Sequence, residues 1–185
     1  MFSFKAAYFY FLAVKILLAR FAKKIYFSTN YYNKLLKTKL PEQLYFYPNP
    51  FLLSSFVNQK IFTFKLSKVS ADTFWSDFES TKEDEDLNSF FWLNLISRKN
   101  DGEAIQQIIS IWIKNNIKYR KKNWGNLQVS KRIIAWILNA DIILNNADRG
   151  FKERFFNSII IQVNHLKNNL NDENDPAKKI EIISA

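Results

Sequence analysis

The stretch that decides the fold is "NWGNLQVSKRIIAWILNA", residues 123–140. Its Trp-Gly pair is typical of a turn, and the residues after the pair predict a helix with one buried face, because apolar side chains recur at spacings of three and four: Ile133, Trp136, Ile137, Ala140. Ser130 is a good N-cap residue, so we expect this helix to begin near it. Arg132 precedes Trp136 by one turn on nearly the same face, where a guanidinium can stack on an indole or bind a carboxylate.

Three further segments after Leu87 carry the same helical spacing. They are "LNSFFWLNLIS", "IISIWIKNN" and "FKERFFNSIIIQVNHLKNNL", over residues 87–97, 108–116 and 151–170. Short polar connections join them, which predicts antiparallel neighbours. A last helix is expected to start at Pro176 with Asp175 as its cap. The chain is 48% hydrophobic with only 3 Gly and 4 Pro, a composition that favours long helices over a turn-rich β-sandwich.

The N-terminal segment, residues 1–40, is strongly basic. It contains no acid and eight cations, which are Lys5, Lys15, Arg20, Lys23, Lys24, Lys34, Lys37 and Lys39. Its apolar residues are interrupted by these charges before they reach the roughly 18 to 20 residues that a membrane span needs. We expect a basic amphipathic helix, and three roles stay open for it: packing on the rest of the fold, binding a membrane surface, or serving as a signal-like anchor.

Residues 41–86 are predicted to connect this helix to the helical array. Pro41, Pro48 and Pro50 exclude a continuous helix. The alternation in "KIFTFKLSKVS" predicts a short β element near residues 60–70. The acids between Asp72 and Asp86 are most simply a solvated loop.

The residues that usually carry catalysis are few in this chain. His165 is the only histidine, cysteine is absent, and the sequence holds no nucleotide-binding or metal-ligand motif. We therefore assign no catalytic residue, no metal ligand and no cofactor. A nucleic-acid partner is not expected either, because the charge reverses sign between Asp72 and Asp86 and the later helices show no basic stripe. The lack of cysteine leaves the compartment open, with the periplasm or cell envelope slightly favoured over the cytoplasm.

Together, the four helical segments resemble the N-terminal region of the bacterial heparinase II/III-like polysaccharide lyase family. The resemblance covers about residues 45–185 and rests on a Phe-x-Trp-Leu helix, the Trp of a "WI" helix, and a Trp followed by Arg-x-x-x-Trp. It implies a partial (α/α) toroid, followed in the family by an antiparallel β-sandwich domain. It also implies β-elimination on uronic-acid-containing polysaccharide. The family's Asn/His and Tyr catalytic motifs have no match in this chain, so we expect the catalytic residues beyond it and expect the chain to be a fragment.

These observations predict a mainly α fold: a partial (α/α) toroid of antiparallel helices with one short β element. They divide the chain into three parts, the basic N-terminal helix (residues 1–40), the connector (residues 41–86) and the helical array (residues 87–185). Trp124, Arg132 and Trp136 match recurrent family positions. Two readings of them stay open: they grip an acidic sugar, or they lock one helix into its neighbours. The chain is accordingly expected to be the N-terminal segment of a lyase acting on acidic polysaccharide. The alternative is a non-enzymatic helical module that binds a glycan or, through residues 1–40, a membrane surface.

Overall fold

The computed structural model describes residues 4–37, 74–75, 84–95, 102–170 and 175–183, and these residues are mainly helical. The predicted mainly α class is therefore confirmed. The short β element predicted near residues 60–70 lies outside the described residues. The chain divides into two compact units, residues 1–35 and 36–185.

The first unit contains two helices, α1 (Phe4–Ser28) and α2 (Asn30–Leu35). Helix α1 ends where two hydroxyl groups turn back onto its last carbonyls. Ser28 Oγ donates to the Ile25 carbonyl at 2.7 Å, and Thr29 Oγ1 donates to the Tyr26 carbonyl at 2.7 Å. Thr29 Oγ1 also accepts from the Tyr32 backbone N–H at 3.2 Å. Thr29 thus closes one helix and satisfies a free donor in the first turn of the next.

The helical elements described in the second unit are α3 (Asp84–Ser89), a 3₁₀-helix η1 (Phe91–Leu95), α4 (Gly102–Asn116), α5 (Asn126–Leu138), α6 (Ala140–Ile143), α7 (Arg149–Asn169) and α8 (Pro176–Ile183). Helix α8 begins at Pro176 as predicted, and Asp175 Oδ1 accepts from the Ala177 backbone N–H at 3.0 Å.

The predicted start of α5 is wrong by one turn. The helix begins at Asn126, after Gly125 in an extended conformation, and not near Ser130. Ser130 is buried inside the helix, where its Oγ donates to the Leu127 carbonyl at 2.8 Å. The boundary moves because Trp124 is anchored by its indole and fixes the turn immediately before Gly125.

Helix α5 and helix α7 are antiparallel, as the sequence predicted. At the start of α5, Asn126 Nδ2 donates to the Asn169 carbonyl at the end of α7, at 3.4 Å. Later in α5, the Trp136 ring lies 5.2 Å from the ring of Phe155, which is earlier in α7. Residue numbers therefore rise along α5 while those of its partners fall.

The same order of contacts relates α4 to α5. Trp124, just before α5, bonds to the last residue of α4, and Trp136 contacts Trp112 one turn earlier in α4, with ring centroids 5.5 Å apart. Near the start of α4, Gln106 Nε2 donates to the Ile143 carbonyl at 3.1 Å. Helix α5 thus runs antiparallel to both α4 and α7. It packs against α3, α7 and α8, while α4 packs against α7.

An aromatic cluster forms the centre of the second unit. Phe90 joins α3 to η1 with a φ of 58°, a left-handed conformation that non-glycine residues adopt only at a cost of about 1 to 2 kcal/mol. Its ring lies 5.8 Å from Trp112 and 5.3 Å from Trp136, both edge-on. All three side chains are buried. Burial of a ring of this size stabilises the fold by more than the backbone conformation costs.

Candidate functional site

Arg132, a predicted substrate-binding residue, lies in the core of the second unit. Its side chain is 0% exposed. Nε donates to Gln162 Oε1 at 2.6 Å, Nη1 to the Asn88 carbonyl at 2.8 Å, and Nη2 to the Asn123 carbonyl at 3.1 Å. One guanidinium therefore ties α5 to α3, to α7 and to the turn before α5.

The described groups in contact with Arg132 are three neutral oxygen acceptors and one aromatic ring. The Trp112 ring covers the guanidinium, with Cζ 4.1 Å from the ring centroid. Among its described contacts no carboxylate is present. Burial lowers the pKa of Arg132 from its ordinary value to about 9, because desolvation penalises the charged form. Its described contacts thus hold the cation by dipoles and a π-face.

Trp124 and Trp136 are also buried, with 3% and 0% of each residue exposed. Trp124 Nε1 donates to the Asn116 carbonyl at 3.1 Å, which pins the turn to the end of α4. Trp136 lies in the aromatic cluster described above. The structure thus brings all three predicted residues into one region of the core and gives each a packing role. A sugar would reach Arg132 only if this region opened, so the substrate-binding role stays a prediction.

His165 completes the same region. It is buried, and its Nε2 lies 3.1 Å from the Trp124 carbonyl, which can only accept, so Nε2 carries the proton. The ring of Tyr119 lies 5.6 Å away on one side, and burial raises the pKa of Tyr119. Within the described ranges no group of three or more metal-ligating side chains comes together. His165, Tyr119 and Trp124 thus form a packed cluster beside Arg132.

The second candidate is a surface of α1 made only of exposed apolar side chains. Successive residues of an α-helix are about 100° apart around its axis. On that spacing, seven side chains fall within one uncharged arc of about 120°, named here the uncharged face: Tyr10, Phe11, Val14, Leu17, Leu18, Phe21 and Ile25. Their exposed fractions run from 36% at Val14 to 76% at Tyr10.

The cations of α1 lie outside the uncharged face. On the same angular spacing, Lys15 and Lys24 border it on its two sides, and Arg20 and Lys23 lie further round. Lys23 also places its Nζ 5.2 Å from the centroid of the Phe27 ring. The helix contains no acid. It therefore combines an exposed apolar strip with positive charge on both flanks.

One surface was missed by the sequence reasoning. Between Glu103 and Asp141 the chain has no acid and seven cations, five of them between Lys114 and Lys122. The expectation that the later helices lack a basic stripe overlooked this run, because most of its cations are on the connection between α4 and α5. The residues 117–123, named here the basic turn, place Lys118, Arg120 and Lys121 at the surface. The acid-free interval is the signal that would have found it.

No helix among the described residues is both long enough and apolar enough to cross a membrane. Comparison of the chain with known protein families, with curated proteins and with solved structures gave no match. The resemblance of the four helical segments to polysaccharide lyases therefore gains no support from these comparisons.

Proposed function

We propose that this chain binds an anionic membrane surface through helix α1. The observation that carries the proposal is the uncharged face of α1, a strip of seven large apolar side chains that are all exposed. A contiguous exposed apolar strip of this size usually marks an interaction surface. Outside the strip the helix carries the cations, together with further exposed apolar residues: Tyr8, Phe9, Leu12, Ile16 and Tyr26. A helix with an apolar strip flanked by cations is suited to lie in the plane of a membrane interface.

The charge of α1 favours an anionic lipid surface over a protein groove. Lys15 and Lys24 border the uncharged face, where long side chains can extend to headgroup phosphates while their stems cover apolar surface. The four cations from Lys15 to Lys24 meet no acid within the helix. Each cation near an anionic surface contributes about 1 kcal/mol to binding at physiological salt.

The proposal can be tested with the full chain and lipid vesicles. Phosphatidylcholine vesicles with and without an anionic phospholipid are compared by co-sedimentation, and we expect binding to require the anionic lipid and to weaken as salt is raised. The double substitution Leu18→Gln and Phe21→Gln removes two side chains from the uncharged face without changing the net charge. Its affinity is expected to fall by at least about tenfold, since loss of 1.4 kcal/mol is tenfold in affinity.

The matched control is the pair Leu12→Gln and Ile16→Gln, on the charged side of the same helix. It removes a similar apolar area and is expected to weaken binding much less. Helix content measured by circular dichroism checks that both variants stay folded. Equal losses of affinity in the two variants would show that the uncharged face is not the side of α1 that meets the membrane. If the unaltered chain did not bind anionic vesicles, the proposal would be overturned.

A second candidate is the lyase function that the sequence resemblance implies. What supports it is that the four resembling segments fall on consecutive elements of the second unit, with α4, α5 and α7 antiparallel in sequence order. A continued series of such hairpins would form the (α/α) toroid. The chain is tested beside the protein from its full open reading frame on uronic-acid polymers, by absorbance of the unsaturated product. Turnover by the 185-residue chain alone, or none by the full protein, would count against it.

A further inference from the structure

The basic turn presents its cations from a fixed backbone. Lys118, Arg120 and Lys121 are exposed, and Ile117 beside them is an exposed apolar residue. No acid lies within the turn or in either helix next to it after Glu103. The turn is therefore a local concentration of positive charge on the second unit.

Two hydrogen bonds hold the turn from the side of α4. Asn123 Nδ2 donates to Asn116 Oδ1 at 2.7 Å, and Trp124 Nε1 donates to the Asn116 carbonyl at 3.1 Å. Within the turn, the backbone N–H groups of Asn123 and Trp124 both donate to the Arg120 carbonyl at 3.0 Å. The backbone that carries the cations is thus closed on itself and fixed to the end of α4.

Two further bonds hold it from the side of α5 and α7. Arg132 Nη2 donates to the Asn123 carbonyl at 3.1 Å, and His165 Nε2 donates to the Trp124 carbonyl at 3.1 Å. Both donors are buried. The residues that the sequence offered as sugar ligands therefore support a surface whose outward side chains are cationic.

The aromatic rings near the turn point inward. Trp124 is buried, and the Tyr119 ring lies against Trp124 and His165 at centroid distances of 6.3 Å and 5.6 Å. Binding of single-stranded nucleic acid uses exposed rings on which bases stack. Here the exposed groups are cations and one aliphatic side chain. That set matches phosphate headgroups above an apolar layer better than it matches bases.

We propose that the basic turn is a second headgroup-binding contact, which takes the phosphate and carboxylate groups of anionic phospholipids. This inference rests on the proposed function, because it names another contact with the same class of partner. It adds a separate set of residues in the second unit. Because the turn is fixed before binding, its backbone loses little conformational freedom when headgroups are bound.

The experiment uses the full chain, phosphatidylcholine vesicles with and without phosphatidylserine, and a triple variant, Lys118→Gln, Arg120→Gln and Lys121→Gln. The control variant carries Arg149→Gln, Lys152→Gln and Arg154→Gln at the start of α7. Both variants lower the formal net charge from +10 to +7, since each removes three cations. The triple variant is expected to bind anionic vesicles about 10- to 100-fold more weakly, and the control less than about threefold more weakly.

The salt dependence gives a second readout. The difference between the triple variant and the unaltered chain is expected to shrink as salt is raised, because headgroup attraction by exposed cations is screened. Unfolding of each variant by urea checks that these exposed substitutions leave stability unchanged.

Each result either supports the inference or overturns it. Equal losses in the triple and control variants would show that net charge alone matters and would overturn it. An unchanged triple variant beside a weakened Leu18→Gln, Phe21→Gln variant would overturn it and leave the proposed function standing. If the triple variant lost binding to a polyuronate or an oligonucleotide but bound vesicles as well as the unaltered chain does, phospholipid would be rejected as the partner of the turn. A weakened triple variant with unaffected α1 variants would support the turn and overturn the role of α1.

Discussion

Replacing Arg132 by Met removes a buried cation while keeping an unbranched side chain of similar reach. The substitution breaks three hydrogen bonds, to Asn88 O at 2.8 Å, to Asn123 O at 3.1 Å and to Gln162 Oε1 at 2.6 Å. Hydrogen bonds to charged groups are worth about 1.5 to 3 kcal/mol each, which gives about 5 to 9 kcal/mol for the three.

The same substitution relieves the burial of a charge. Desolvation lowers the pKa of Arg132 from its ordinary value to about 9. At about 1.4 kcal/mol per pH unit, this difference corresponds to a cost of about 5 kcal/mol at neutral pH. The two effects largely offset each other, so we expect Arg132→Met to destabilise the fold by only about 2 kcal/mol at neutral pH.

The pH dependence separates the two effects. The unfolded chain holds the Arg132 proton up to the ordinary pKa of arginine, whereas the folded chain releases it near pH 9. Between these two pKa values the unfolded state binds more protons, so stability rises with pH. Below about pH 9 this gain in stability from Arg132 deprotonation is lost. The Met variant lacks the gain at every pH and shares every other titrating group with the unaltered protein. The stability difference should therefore be constant from about pH 6 to 8 and larger by about 2 kcal/mol at about pH 10.5.

The assay is urea unfolding of both proteins across this range, followed by tryptophan fluorescence, which reports on buried Trp112, Trp124 and Trp136. A difference that stays constant up to about pH 10.5 would refute the lowered pKa, since the guanidinium would then stay charged in the fold. If the Met variant were more stable than the unaltered protein at neutral pH, the three hydrogen bonds would contribute less than the burial of the charge costs, and the reasoning would be refuted.

Substitutions at three further positions test the turn and the start of α7. Trp124→Phe removes the Nε1–H bond to the Asn116 carbonyl. It should lower the free energy of unfolding by about 1 to 3 kcal/mol, because the carbonyl is left buried without that donor. A loss below about 0.5 kcal/mol would contradict the anchoring role of the Trp124 indole. Asp148→Ala removes the side chain that caps α7 and should cost about 1 kcal/mol, whereas Asp148→Asn, which can still accept, should cost much less. Arg149→Ala breaks only the exposed ion pair with Glu153 and should change the free energy of unfolding by less than about 0.5 kcal/mol. A larger loss in thermal or urea unfolding would show that this pair is not simply a surface contact.

Helix class and helix order could be predicted from the sequence because both depend on spacings within one segment. The stripes in α4, α5 and α7 alternate with polar residues at the helical period, and short connections make neighbours antiparallel. The start of α5 could not be predicted in this way. The N-cap preference of Ser130 is a local effect of about 1 kcal/mol. The anchoring of Trp124 by Asn116 comes from a different helix and decided the boundary.

The candidate surfaces divide in the same manner. The basic, acid-free character of α1 and its apolar positions are present in the sequence, and the helix period places those positions on one side. The seven cations between Glu103 and Asp141 are equally visible in the sequence. The sequence does not show which of these cations reach the surface. Lys118, Arg120 and Lys121 are exposed while Arg132 is fully buried, although all four belong to one basic run.

The sequence alone determined that this protein is mainly helical, which faces of its helices are apolar, and where its positive charge is concentrated, since each of these follows from residue type and local spacing. Only the tertiary structure decided that Arg132 is buried in the core and bonded to three other segments of the chain. Its acceptors on Asn88 and Gln162 are 44 and 30 residues away along the chain. A guanidinium one turn before a tryptophan has the same sequence pattern in either role, and the position of distant carbonyls determines whether it is buried.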